Sequence, residues 1–342
     1  MTTGKAPSGK ERHSEKRTAL IIGGGAWGSA IATALSYQKN LDVQLLVRDE
    51  ATCDALSTHQ VPRLPDITLP YALAATTQPH ALKNADIIYL VLPASATLEA
   101  LDKIESYASA DCPIVLCAKG LVSYQSAPLS VEHLFLPEVM RRHGSLRPYA
   151  ILSGPSFADE VIQNLPAALV AASTDHALSD AISQDFDASK VRIYGSDDPM
   201  GVAIGGAIKN IIALAAGICA GLHLGDNAKA ALITRGLAET ARLMSAFDGK
   251  AHTISGLAGI GDLALTAAGP HSRNMAYGIA LGKGTELPKS LSEGARSAPL
   301  LAARAALMNI DMPITQAVAK ALKGAPLDQL ITDLLARPRV KE

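Results

Sequence analysis

Two glycine-rich segments and a pair of lysines carry the chemistry of this 342-residue chain. Gly23-Gly24-Gly25-Ala26-Trp27-Gly28 fits G-x-G-x-x-G directly after the apolar run Ala19 to Ile22. In that place Gly23 permits a tight turn, Gly25 lets backbone approach a pyrophosphate, and Gly28 allows close helix–sheet packing. The helix that follows presents free N–H groups and the positive end of its dipole to the anion. About 20 positions on, a dinucleotide site usually places an acidic residue on the ribose 2′-hydroxyl. Here the second apolar run ends Val47-Arg48-Asp49. Arg48 stands where a guanidinium meets a 2′-phosphate, and Asp49, one step late, reads equally as a helix cap. NADP is therefore favoured, with NAD as the alternative.

Lys209 lies inside the apolar stretch from Met200 to Leu224. A lysine so placed must snorkel, find a carboxylate or lose its proton easily, and in the last case it can exchange a proton near neutrality. A structural ion pair is the competing reading. Lys119 closes the run Ile114 to Ala118 and falls where parallel sheets hold ligands; an ordinary solvated lysine at a strand end would look the same. Gly256 to Gly261 is a second glycine-rich loop, ending at Asp262 and followed by Thr266 and His271-Ser272-Arg273-Asn274. Arg273 is a candidate phosphate fork with Ser272 and Asn274 as flanking donors, although surface arginines are common. Ser153 to Ala158 ends another apolar run and taken alone is a turn. None of the nine histidines pairs at metal-ligand spacing, so no metal site is expected, and no G-x-S-x-G nucleophile elbow occurs.

These groups need a frame. Hydrophobic residues make up 48% of the chain and charged residues 18%, enough apolar material for a large core and too much for a disordered chain. The formal charge is −1, from 31 basic and 32 acidic side chains, so nothing global draws the chain to nucleic acid or an anionic membrane. Four cysteines without a C-x-x-C pair suit a reduced, cytoplasmic setting. Met200 to Leu224 is long enough to span a bilayer, but Lys209-Asn210 sits near its middle and Asp198-Pro199 is the start signal of a soluble helix. It reads as a buried core helix rather than a transmembrane segment.

Residues 1–17 are polar and lack an apolar h-region, and they are expected to be a disordered tail. Between 18 and 195, continuous apolar runs (Ala19 to Ile22, Val43 to Val47, Asp86 to Leu92, Pro113 to Ala118, Ala150 to Ser153, Ala167 to Ala172) alternate with helical stretches. That pattern predicts a doubly wound α/β sheet of the Rossmann type, with strands covered on both faces. After Tyr194 to Pro199, helical patterns take over, including Asp226 to Phe247 and Ala298 to Met308. Residues 196–342 are therefore expected to form a separate all-α domain.

In combination these segments resemble the bacterial NAD(P)-dependent glycerol-3-phosphate dehydrogenases, from about Thr18 to Leu335. GGGAWGSAIA from Gly23, AKGL from Ala118, SGPSFADE from Ser153, the long run from Gly205, GLAGIGDLALT from Gly256, HSRN from His271 and SEG from Ser292 occur in the family's order. The resemblance implies reversible conversion of dihydroxyacetone phosphate and reduced cofactor to sn-glycerol 3-phosphate, for phospholipid synthesis, by a cytoplasmic homodimer. By motif position it makes Lys209 the proton donor and acceptor, with Lys119 and Asp262 beside it. Lys119, Gly154, Ser156, Lys209, Asp262, Ser272, Arg273 and Asn274 correspond to substrate positions. Gly23, Gly25, Ala26, Trp27, Gly28, Arg48, Lys119, Ala158, Arg273, Leu291 and Glu293 correspond to cofactor positions. Ala26 replaces a common Ser, Leu291 a common Val or Ile, and Thr266 to Pro270 depart from the usual Thr-Cys ahead of SRN. A β-hydroxyacid dehydrogenase of similar architecture and a non-catalytic nicotinamide sensor are the alternatives. Neither accounts for Lys209, Asp262 and SRN together.

Overall fold

The computed structural model describes residues 16–127, 130–289 and 292–336. The tail expected over 1–17 lies outside them as far as residue 15. Arg17 does not belong to it: it opens the first strand, and its guanidinium pairs at 2.9 Å with buried Asp185.

The first half builds one eight-stranded sheet and a hairpin. The strands are β1 (Arg17–Ile22), β2 (Leu41–Leu46), β3 (Ala74–Thr76), β4 (Ile87–Leu90), β5 (Ile114–Leu116), the hairpin β6 (Val122–Ala127) and β7 (Ser130–Leu134), then β8 (Tyr149–Ser153), β9 (Ala167–Ala172) and β10 (Val191–Ser196). The sheet order is β10-β9-β8-β5-β4-β1-β2-β3. Neighbours run parallel except β8 and β9. Chain order reverses between β1 and β4, and a crevice at the carboxyl ends of the strands opens at such a switch point. Helices α1 (Ala26–Leu35), α2 (Glu50–Ser57), α3 (Thr97–Tyr107), α4 (Leu136–His143), α5 (Ala158–Ile162) and α6 (His176–Phe186) connect the strands. Ala19 to Ile22 of β1 and all of β4 are buried, which explains the continuous apolar runs in the sequence.

Three elements escaped that pattern, the first being β3, a three-residue strand with none of its residues buried. β10 reads VRIYGS, runs one residue past the boundary expected at 195, and buries only Val191. The β6–β7 hairpin includes Ser123, Tyr124 and Gln125, and forms its own two-stranded sheet. β3 and β10 are mostly outside the core, and Ser123, Tyr124 and Gln125 make the hairpin polar, so none of the three shows a continuous apolar run.

The second half is helical: α7 (Pro199–Gly221), α8 (Asp226–Ala246), α9 (Asp262–Ala267), α10 (Arg273–Lys283), α11 (Glu293–Leu307), α12 (Pro313–Ala321) and α13 (Leu327–Leu335). α7 is long and apolar enough to cross a membrane, yet 94% of its most apolar window is buried within the protein. Asp198 caps it, accepting the Gly201 N–H at 2.8 Å, with Pro199 in the first turn. α8 starts from Gly225 (φ +86°), so Asp226 is its first residue rather than its cap. α11 begins at Glu293, five residues before the expected Ala298. Ser292 caps it through the Ala295 N–H at 3.2 Å, bringing Glu293 and Gly294 into the site.

α7 and α10 cross at glycines. A Cβ on Gly278 would overlap the Leu214 carbonyl and come within 2.9 Å of the Gly217 Cα; Gly282 meets Gly221 in the same way. This close crossing sets the start of α10 beside the middle of α7. Gly278→Ala should therefore force the helices apart, at a cost of about 1–3 kcal/mol. The check is thermal unfolding followed by circular dichroism, where a midpoint lowered by several degrees is expected. An unchanged midpoint would show that the crossing has slack.

Candidate functional site

The nucleotide end is built by β1, α1 and β2. Gly23 adopts φ +120°, a conformation that favours glycine, and its N–H donates to the Leu46 carbonyl at 3.0 Å. A Cβ on Gly28 would overlap the Gly23 carbonyl oxygen, so helix and turn touch at that point. Gly25 is the N-cap of α1, makes no side-chain capping bond, and would have nothing within 4 Å of a Cβ. An uncapped helix start behind an open glycine is the cradle a pyrophosphate needs, so these residues fit a dinucleotide. Ala26 and Trp27 form the first turn, with half-buried Trp27 packed on the N-terminal core.

Arg48 extends from the end of β2 with its side chain 94% exposed and only a loose 3.7 Å ion pair to Asp49. Asp49 is a helix cap. It accepts from the Thr52 hydroxyl at 2.8 Å and the Thr52 N–H at 2.9 Å, and those bonds hold its carboxyl below the usual range.

The other end centres on Asp262, the first residue of α9 and 1% exposed. A π-type turn over Leu257–Gly261 delivers it, with Gly259 in a non-helical conformation. Asp262 Oδ1 accepts from Lys209 Nζ at 2.5 Å and Oδ2 from Lys119 Nζ at 2.7 Å. Lys209 Nζ also donates to Thr266 Oγ1 at 2.9 Å. The Thr266 hydroxyl spends its own proton on the Asp262 carbonyl at 2.6 Å, leaving lone pairs for the lysine. Lys119 Nζ further donates to the Gly154 carbonyl at 3.1 Å, which also accepts from Ser156 Oγ at 3.1 Å. Gly154 holds φ +142° after β8, which turns that carbonyl toward the lysine.

Two ammonium groups and one carboxylate leave a net positive charge. Burial lowers the Lys209 pKa to about 8; the Lys119 charge adds to the drop and the Asp262 charge opposes it. For Asp262, burial alone would raise the pKa, but Lys119 and Lys209 outweigh it and hold the carboxyl below its ordinary value. The arrangement can hold and move a proton near neutral pH while attracting an anion.

α10 brings the remaining polar groups. Ser272 caps it through the Met275 N–H at 3.4 Å, Arg273 is exposed at its first position, and Asn274 is buried. Asn274 Nδ2 donates to Asn210 Oδ1 at 2.9 Å. Glu293, at the start of α11, has a buried Oε1 without a hydrogen-bond partner. Burial raises its pKa, while Arg296 and Arg273 pull it down. Ala158 is the first residue of α5 and half-buried; Leu291 lies outside the described residues.

Lys119, Gly154, Lys209 and Asp262 thus share one bonded cluster, joined to Ser156 through the Gly154 carbonyl. Gly23 to Gly28 and Arg48 sit elsewhere on the same edge, since β1, β2, β5 and β8 are mutually parallel. Among the described residues no group of three or more His, Cys, Asp or Glu could hold a metal. Thr266 and Asn210 were not singled out as functional from the sequence. Two signals were available: Thr266 lies four residues after Asp262, hence on one helical face, and Asn210 is polar inside an apolar helix.

Comparison with known proteins places the chain in a family. Family models described as the NAD-dependent glycerol-3-phosphate dehydrogenase N-terminus and C-terminus match residues 18–179 and 198–332. The chain is 42% identical over 325 residues to a glycerol-3-phosphate dehydrogenase (NAD(P)+) of Bradyrhizobium sp. (strain ORS 278), covering 94% of this chain and 97% of that one. A protein of the same name from Agrobacterium fabrum is 38% identical, covering 96% of this chain and 100% of its own. The crystal structure of glycerol-3-phosphate dehydrogenase from Coxiella burnetii superposes with a TM-score of 0.86 at 34% identity, over 94% of this chain and 99% of that one. The chain belongs to the NAD(P)-dependent glycerol-3-phosphate dehydrogenase family.

Proposed function

We propose that this protein interconverts dihydroxyacetone phosphate and sn-glycerol 3-phosphate with NADPH or NADH, supplying the backbone of phospholipids. The observation that carries the reading is Lys209 held by Asp262 and Thr266, at 2.5 and 2.9 Å, beside Lys119. The bound cofactor supplies the hydride to carbon 2 of the ketone, or takes it back from the alcohol. Lys209 as an ammonium stabilises the charge that develops on the carbonyl oxygen and donates its proton there. As a neutral amine it removes the hydroxyl proton in the other direction. Asp262 aims both lysines, and Thr266 accepts a second Lys209 proton, which limits the directions the ammonium can point.

In the same reading, Arg273 holds the substrate phosphate at the start of α10, with Ser272 and Asn274 beside it. Lys119, Gly154 and Ser156 line the reacting end. Binding energy from the remote phosphate then fixes the reacting carbon. Gly23, Gly25, Ala26, Trp27 and Gly28 would hold the pyrophosphate end of the cofactor, Arg48 a 2′-phosphate, and Ala158, Glu293 and Leu291 the remainder. The strand-bearing half, residues 17–196, supplies most of the cofactor groups and the helical half most of the substrate groups, in a cytoplasmic homodimer; light scattering tests the dimer.

The test is loss of reduced-cofactor absorbance with dihydroxyacetone phosphate, run with NADPH and with NADH. Substrate-dependent loss is expected. Cofactor binding without turnover would favour a sensor, and turnover only with β-hydroxyacids or their keto forms would move the substrate assignment. The exposed Arg48 guanidinium just after β2 supports NADPH as the preferred cofactor. Arg48→Ala should weaken NADPH by about 1.5–3 kcal/mol, roughly tenfold or more, and leave NADH nearly unchanged. Equal losses for both cofactors would remove Arg48 from 2′-phosphate recognition.

A further inference from the structure

Asn210 follows Lys209 in the middle of α7 and is 4% exposed. Its Nδ2 donates to the Lys119 carbonyl at 3.0 Å and to the Gly206 carbonyl at 3.2 Å, while its Oδ1 accepts from Asn274 Nδ2 at 2.9 Å. Both amide protons and the oxygen are therefore engaged. Turning the amide over would set an oxygen against two carbonyls and a nitrogen against an N–H donor, so the orientation is unique. Asn274 continues the chain: its Oδ1 accepts from Ser292 Oγ and from the Gly294 N–H, each at 2.9 Å. Gly294 is also in direct contact with α7, where a Cβ would overlap the Asn210 carbonyl oxygen.

The result is an unbroken run of hydrogen bonds from the strand-end loop that carries Lys119, through α7, to the starts of α10 and α11. On one side of Asn210 stands the loop whose lysine reaches Asp262; on the other stands the helix end that presents Arg273. We propose that Asn210 is a positioning residue that sets the phosphate-holding end of α10 in register with the lysine cluster. The inference rests on the reading of Arg273 as the phosphate ligand. A shift of about 1 Å between the two ends would leave a substrate bound but misplaced, which costs on the order of 10²-fold in rate. A purely structural amide would lower stability and leave bound substrate correctly aligned.

The experiment compares wild type, Asn210→Ala, Asn274→Ala, the double variant and Asn210→Asp, each with saturating NADPH and varied dihydroxyacetone phosphate. Asn210→Asp keeps the acceptor for Asn274 and reverses the contact with the Lys119 carbonyl, so it cuts the run at one end in a side chain of the same shape. Asn210→Ala is expected to lose about 30- to 100-fold in kcat, with a smaller rise in KM. Asn210→Asp should behave likewise. The double variant should lose little more kcat/KM than the worse single variant, because either change breaks the same run. Losses that multiply in the double variant, a change confined to KM, or normal kcat in either Asn210 variant would overturn the proposal. So would failure of both Asn210 variants to fold, which would make the residue part of the core. Arg273→Ala, assayed in parallel, keeps the two questions apart: an unchanged KM there removes the phosphate reading itself, whatever Asn210 does.

Discussion

Replacing Lys209 by Met will lower turnover of dihydroxyacetone phosphate by about 10²–10⁴-fold, the range over which a positioned proton donor acts, with the fold retained. Met keeps most of the apolar stem that packs inside α7 and removes only the ammonium, so unfolding should not account for the loss. The wild-type pH profiles should bear the same signature. With its pKa lowered to about 8 by burial, Lys209 is the needed ammonium below that pH and the needed amine above it. Reduction of the ketone should therefore fall as pH rises through about 8, and oxidation of the alcohol should rise through the same interval. Both limbs should vanish from the residual activity of Lys209→Met. Near-normal turnover in that variant, or profiles without a step in this region, would take the proton transfer away from Lys209.

Asp262→Ala should be the most damaging single change to stability. The carboxylate is 1% exposed and bonds both ammonium groups at 2.5 and 2.7 Å. Its loss leaves like charges facing one another without a counter-charge, and breaking a buried pair from one side costs about 3–5 kcal/mol. The folded variant can escape part of that cost by releasing the Lys209 proton, so its pKa should fall further below about 8. The sign follows: the unfolded chain keeps a lysine proton to about pH 10.4, so stability recovers as pH rises and the deficit is greatest in acid. Thermal midpoints of wild type and Asp262→Ala between pH 6 and 9.5 measure this. The step in ketone reduction should also move to lower pH in whatever activity remains. A constant deficit across that range would mean that Asp262 contributes packing rather than charge.

Much of this architecture is legible in the order of residues alone. The parallel strands that carry the nucleotide turn are buried on both faces, and that burial demands the unbroken apolar runs seen at Ala19 to Ile22 and Asp86 to Leu92. The turn itself is written in Gly23 and Gly28, because no side chain fits either place. Lys209 stands out because a cation is rare in so apolar a helix. What stays hidden has two causes. β3 and β10 bury too little, and the hairpin is too polar at Ser123, Tyr124 and Gln125, to leave a continuous apolar run. The early start of α11 depends on a single capping serine, Ser292, in a stretch otherwise rich in loop formers.

The spacing and types of residues were enough to set the nucleotide turn, the order of the buried strands, the change to helices after them, and the presence of a lysine inside an apolar helix. These are local matters, decided by backbone conformation and by which side chains water will accept. The partners of that lysine are another kind of fact. Lys209 and Asp262 lie 53 positions apart, Lys119 and Asp262 lie 143 apart, and Asn210 and Asn274 lie 64 apart. Such separations leave no periodic trace, and Asp49 and Asp262 are alike as residue types. Asp49 became a cap because Thr52 stood one turn away. Asp262 became the counter-charge of two lysines because the turn before α9 packs against α7 at Gly205, where a Cβ would overlap the Ala258 carbonyl oxygen.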